Sequence, residues 1–299
     1  LILSKSAGSD LQPPIIQYFN KFDGKLWYAE NGYPHPLPGL SVGWRRVTTA
    51  LEEVLDLYET VREEKLDPSS SSKSRGKNTD KLLERHQELV YRAVEFVETA
   101  ADKTKFALLP PERLKDRWEA PRVKGLRRHA DIICNRLKHN QHQLVGVTVS
   151  HPQSRVEGYM VTHISPSGEA VPNRDIHKDR EAFSLNVDVR KIVANCYLVS
   201  QEVVHVAESM TGTKMEPLDG ADPETEIALR RLCDLPLFVF PGETAKHMPI
   251  LSFDGEALSI EDRGGHTRHS MFGHHYETRY MSDGHTRSFH IPFMAGHKN

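Results

Sequence analysis

Arg127-Arg128-His129-Ala130-Asp131-Ile132-Ile133-Cys134-Asn135-Arg136-Leu137-Lys138-His139-Asn140-Gln141-His142 runs straight into Gln143-Leu144-Val145-Gly146-Val147-Thr148-Val149, and the hydrophobic period changes between the two. In the first stretch, extended back to about Arg122, Val123, Leu126, Ala130, Ile133 and Leu137 share one face at 100° per residue, which predicts a helix over about 122–142. In the second, Leu144, Val145, Val147 and Val149, then Val156, Tyr159, Val161 and Ile164, read as two strands, with turns at His151-Pro152 and Ser165-Pro166-Ser167-Gly168. A helix feeding a hairpin over about 143–165 decides the class: α+β.

Helices flank this unit. Upstream, Val47, Leu51, Val54, Leu55, Tyr58 and Val61 recur at helical steps, and Leu82, Leu83, Leu89, Val90, Val94, Phe96 and Val97 do so over about 80–103. Between them, residues 67–79 hold four consecutive serines and read as a mobile polar loop. Downstream, a helix is predicted over about 186–210, on Val189, Ile192, Val193, Cys196, Val199, Val203 and Ala207. Asp222-Pro223 then starts a short helix to about Cys233, with aspartate at the cap and proline in the first turn.

The ends differ in composition. Residues 1–40 form a proline- and aromatic-rich arm, in which Tyr33-Pro34-His35-Pro36-Leu37-Pro38-Gly39 is expected not to be helical. The arm either packs on the body or binds a partner. Residues 235–299 alternate as short strands, Leu237–Phe240, Ile250–Phe253, Ala257–Ile260, Met271–Tyr280 and Ser288–Phe293. The expected architecture is a helical bundle over 41–234 with an inserted β-hairpin, and a C-terminal β-meander packed on it.

A net charge of -2 and a pI near 6.8 exclude a globally basic nucleic-acid binder, so any polyanion contact must be a local patch. No run approaches the ~18 apolar residues of a membrane span, so no membrane partner is expected. Cys134, Cys196 and Cys233 sit in apolar helical contexts without CxxC spacing, which reads as core thiols of a reducing compartment; a cytoplasmic location is expected. The sequence has no GxxxxGK[ST], GxGxxG or HExxH motif.

Opposite the apolar face of the 122–142 helix, Arg128, Asp131, Asn135, His139 and His142 form a polar stripe. Imidazoles move protons near neutral pH and arginine steadies phosphate charge, so the stripe suits acid–base work on a phosphodiester. The simpler reading is the solvated side of an amphipathic helix.

Asn135-Arg136-Leu137-Lys138-His139-Asn140, followed by a strand pair and a long helix, resembles the HEPN superfamily of helical-bundle proteins in prokaryotic toxin and antiviral defence systems, over about residues 80–210. Active members of that superfamily cleave RNA through an Arg-(polar)-x(3–5)-His motif where two copies meet. The resemblance implies an endoribonuclease that needs no metal or other cofactor, RNA as substrate, and a homo-oligomer, a dimer in the simplest case. It casts His139 or His142 as general acid or base, Arg136 or Arg128 as phosphate stabiliser, and Asn135 as an orienting donor. Two departures stand out: Cys134 replaces the arginine in the Asn135/His139 register, and Leu137 replaces the polar residue in the Arg136-x5-His142 register.

The last 34 residues hold seven of the 17 histidines, His266, His269, His274, His275, His285, His290 and His297, and a repeat, Gly265-His266-Thr267-Arg268 and Gly284-His285-Thr286-Arg287. With Arg268, Arg279, Arg287 and Lys138 they suggest a face for nucleic acid. No ligand triplet has a recognised spacing, so no metal is expected. The competing reading is a non-catalytic assembly or sensor subunit, in which the bundle oligomerises and the arm binds a partner protein.

Overall fold

The computed structural model describes residues 1–4, 11–66, 72–115, 121–139, 142–151, 154–166, 168–178, 182–215, 223–236, 240, 249–255, 257–262, 276–282 and 285–291. In chain order its elements are β1 (Ile2–Ser4), α1 (Pro14–Lys21), α2 (Pro36–Leu66), α3 (Ser72–Leu108), α4 (Pro121–His139), β2 (Gln143–His151), β3 (Ser154–Ile164), β4 (Ala170–Pro172), α5 (Arg174–His177), β5 (Phe183–Ser184), α6 (Leu185–Thr211), α7 (Pro223–Asp234), β6 (Pro249–Phe253), β7 (Ala257–Asp262), β8 (Tyr276–Ser282) and β9 (His285–Ile291). The class is α+β.

The bundle is organised around α6. Its Ile192, Val193, Ala194, Cys196, Tyr197, Val199 and Ala207 are all but sealed from solvent, and α1, α3, α4 and the strand β6 pack on it. Gly212, at φ 74, ends the helix in the left-handed conformation that glycine adopts without steric penalty. α2 and α3 pair with each other through Val47, Leu51, Val54, Leu55, Leu89, Val90 and Val97. The Trp44 indole N–H donates to Thr225 Oγ1 at 3.1 Å, tying α7 to α2. Arg190, almost wholly buried, donates to the carbonyls of Leu232, Cys233 and Leu235, satisfying acceptors that the end of α7 leaves open.

Three expectations need correction. Pro36–Gly39 is the first turn of α2, not irregular chain. Proline is tolerated there because the first helical N–H groups have no intrahelical partner to lose. Residues 72–79 belong to α3, not to a mobile loop, and the Asn78 side-chain amide donates to Glu64 Oε1 at 2.7 Å, holding this segment to α2. Residues 67–71 lie outside the described residues.

The third correction concerns the strands. The C-terminal ones do not form one meander. β6 and β7 join β1 in an antiparallel sheet of order β1-β7-β6, with Ile2 opposite Ser259. β8 and β9 extend the β2–β3 hairpin into a sheet of order β4-β3-β2-β8-β9, with Val147 opposite Tyr280. Hydrogen-bonding edges left open on the hairpin and on β1 are natural templates for additional strands.

The aromatic arm packs on the body. Ile15, Ile16, Tyr18 and Phe19 are buried. The Ile15 amide donates to Ser200 Oγ at 2.7 Å, and the Tyr197 hydroxyl donates to the Leu11 carbonyl at 2.6 Å. Tyr33 stacks on Phe106 with ring centroids 3.9 Å apart.

Candidate functional site

The polar residues read from the sequence separate into two sets. Arg128, Asn135, Lys138 and His139 are exposed on α4, with the Lys138 ammonium 4.7 Å above the Tyr91 ring. Arg136 and His142 are only partly exposed and are engaged. The Arg136 guanidinium donates to Asp175 Oδ2 at 2.9 Å, and the Asn173 amide donates to His142 Nε2 at 2.8 Å. Asn173 also caps α5, its Oδ1 accepting from the Asp175 amide at 2.9 Å. These contacts brace the C-terminal end of α4 against the β4–α5 segment.

His142 is not on the helical stripe, because α4 ends at His139 and β2 begins at Gln143. Asp131 faces Arg127, whose Nε lies 3.0 Å from its Oδ2. Of the tail residues, Arg279 lies on β8 and Arg287 on β9; Arg268 lies outside the described residues, as do His266, His269, His274, His275 and His297. Among the described residues, no group of three or more His, Cys, Asp or Glu is arranged to hold a metal ion.

A second constellation was not singled out by sequence reasoning. Asp188, in the first turn of α6, is buried at 4% exposure. Its Oδ1 lies 2.7 Å from His129 Nε2 of α4, and its Oδ2 accepts the Tyr159 hydroxyl of β3 at 2.5 Å. His86 of α3, fully buried, brings its Nε2 to 3.3 Å from Oδ2, a charge contact rather than an aligned hydrogen bond. Three separate elements therefore converge on one carboxylate of α6.

The packing around the carboxylate is aromatic. The His86 ring lies 4.6 Å from Tyr159, His129 meets Phe183 edge-on at 5.0 Å, and His177 stacks on Phe183 at 4.5 Å. His177 is itself fixed, its Nε2 accepting the Val161 amide at 2.9 Å. Gly158 makes the close approach possible, since a Cβ there would stand 2.1 Å from the Phe183 carbonyl and from the Phe240 ring.

Burial alone would push the Asp188 carboxyl up. The positive charge that His129 and His86 can carry, with the hydrogen bonds at both oxygens, outweighs burial and holds the carboxyl well below the usual carboxylate range. Asp188 is thus a fixed anion in the interior. Of its two imidazoles, His86 is sealed while the His129 side chain keeps 17% of its surface open. A carboxylate that orients one imidazole nitrogen and stabilises the imidazolium is a general arrangement for moving a proton at the ring.

A sequence signal for this centre exists. His86 falls within the apolar stripe of Leu82, Leu83, Leu89 and Val90, and Asp188 sits between Val187 and Val189 at the start of an otherwise apolar helix. Each is a polar residue at a core position, which needs a buried partner. No family model matches the chain, and no curated protein or solved structure compared with it matches either.

Proposed function

We propose that the protein is a HEPN-like, RNA-directed endoribonuclease of a bacterial defence or toxin system, acting as a homodimer in the cytoplasm. The observation that carries this reading is the exposed row on α4. Arg128, Asn135, Lys138 and His139 present two cations, a carboxamide and an imidazole to solvent on one helix. A phosphodiester backbone needs charge neutralisation and hydrogen-bond donors, and such a row supplies both. An imidazole of the same helix moves the proton. Among the described residues, no helix is long and apolar enough to cross a membrane.

The test is cleavage of a single-stranded RNA oligonucleotide by the full chain in the presence of a chelator, with light scattering to give the molar mass. Cleavage that weakens when Arg128 and Lys138 are neutralised supports the reading. A monomer that leaves RNA intact overturns it.

A second reading, a non-catalytic assembly subunit, draws on the engagement of Arg136 with Asp175 and of His142 with Asn173, which gives two motif residues bracing roles. On that reading Arg136→Ala loosens the α4–α5 contact and changes oligomeric state without any RNA cleavage to lose.

A further inference from the structure

Resting on the RNA-cleaving reading, we infer that the general base of the site is His129, with Asp188 and Tyr159 as its positioning residues, and that the imidazoles at the end of α4 serve binding rather than proton transfer. Three observations carry this. The first is orientation. The His129 Nε2 contact with Asp188 Oδ1 at 2.7 Å, together with the edge-on Phe183 ring, fixes the imidazole plane and turns Nδ1, the nitrogen that would take the proton, away from the carboxylate. His139, by contrast, is exposed with no hydrogen-bond partner among the described residues, and His142 Nε2 is occupied by the Asn173 amide.

The second observation is charge. An imidazole that has accepted a proton is stabilised by a permanent anion that water does not screen, and Asp188 is such an anion, sealed on the side away from solvent. Tyr159, fully buried, holds the other carboxylate oxygen at 2.5 Å and so restricts rotation of the carboxylate.

The third is placement. His129 and Arg136 are seven residues apart, two turns along the same edge of α4, and Arg128 directly precedes the histidine. The partly open imidazole therefore lies next to the exposed Arg128, while Arg136, two turns on, is held by Asp175.

RNA brings its own nucleophile. The 2′-hydroxyl gives its proton to His129 while its oxygen bonds to the adjacent phosphorus. The bond from phosphorus to the 5′-oxygen breaks, and that oxygen takes a proton from water. The hydroxide left behind is neutralised by protonated His129, which restores the base. The products are a 2′,3′-cyclic phosphate end and a 5′-hydroxyl end, and a DNA strand of the same sequence stays intact.

The experiment uses the full chain with an RNA oligonucleotide, measuring kcat and KM separately. His129→Gln keeps a donor for Asp188 but has no nitrogen to accept a proton, and it is expected to lower kcat roughly 10²-fold or more. His139→Ala should act mainly on KM. Tyr159→Phe and Asp188→Asn should lower kcat while leaving KM within about twofold, a split that simple loss of binding does not produce. Melting curves of His129→Gln and Tyr159→Phe confirm that these variants are folded when assayed. If His139→Ala cuts kcat as deeply as His129→Gln, or if folded His129→Gln retains wild-type kcat, the assignment to His129 is wrong while RNA cleavage stands. An intact RNA with the unaltered protein overturns the RNA-cleaving reading and the assignment together.

Discussion

His129 Nε2 and Asp188 Oδ1 stand 2.7 Å apart, although 59 residues separate them in the chain, and the contact locks α4 to the start of α6. Tyr159 and His86 close on the other oxygen, so the carboxylate holds four elements in register. Removing it leaves two imidazoles and a hydroxyl without their shared acceptor. Asp188→Ala is expected to cost about 3–5 kcal/mol, the usual size when one member of a buried charged group is deleted. Urea unfolding measures it; a loss below about 1 kcal/mol would show that the network contributes little to stability.

The same carboxylate gives a pH signature. Its folded value lies well below its ordinary one despite burial, because His129 and His86 favour the ionised form. A depressed carboxyl stabilises the fold at pH above its unfolded value of about 4, and that stabilisation is lost as pH falls through the lower folded value. The melting-temperature gap between wild type and Asp188→Asn should therefore close progressively below about pH 4. A gap independent of pH down to acid unfolding would contradict this.

Two neighbouring positions on α4 should respond in opposite ways. Leu137 is buried and belongs to the core, so Leu137→Ala is expected to cost about 2–5 kcal/mol. His139, exposed two residues later, should change stability by no more than about 0.5 kcal/mol when replaced by alanine. Denaturant midpoints of the two variants make the comparison directly.

The thiols provide a fourth check. Burial pushes the Cys196 thiol up to about 12 and the Cys233 thiol up to about 11, and Cys134 is also raised by burial. All three should resist a thiol-specific reagent at pH 8 in the native protein and react fully in denaturant. Rapid labelling of the native chain at Cys196 would mean that α6 opens far more readily than its packing implies.

Gly158→Ala tests the close packing beneath the centre. The added methyl would meet the Phe183 carbonyl and the Phe240 ring at 2.1 Å, and a backbone oxygen cannot swing aside as a flexible side chain does. A cost at or above about 3 kcal/mol is expected, with loss of the Tyr159 environment visible in near-ultraviolet dichroism.

The helices α4 and α6 and the β2–β3 hairpin were legible because each carries an unbroken period: Val123 to Leu137, Val189 to Ala207, and Leu144 to Ile164. The early start of α2 was not, since proline reads as a breaker unless its place in the first turn is known. The division of the C-terminal strands between two sheets escaped for a different reason. Short alternating segments state that they pair, but which edge they choose depends on partners as remote as Ile2 and Val147.

At the site, the pattern is similar. The exposed positions of Arg128, Asn135 and His139 follow from helical geometry alone. The Asp188 centre draws one residue from each of four elements, and no spacing within the sequence encodes such a meeting. What the sequence did hold was the anomaly of His86 and Asp188 among apolar neighbours, an isolated polar residue in each stripe that needs a partner from elsewhere.

The antiparallel match of β1 with β7 sets Leu3 opposite Leu258. On a ribosome adding about 5–20 residues per second, that partner emerges tens of seconds after the first strand has left the tunnel. Throughout this interval Leu3, buried in the finished sheet, has no β7 to cover it. Until then the nascent chain carries an adhesive strand, which makes it a natural client for a holding chaperone, and products that stop before β7 should be the species that aggregate first.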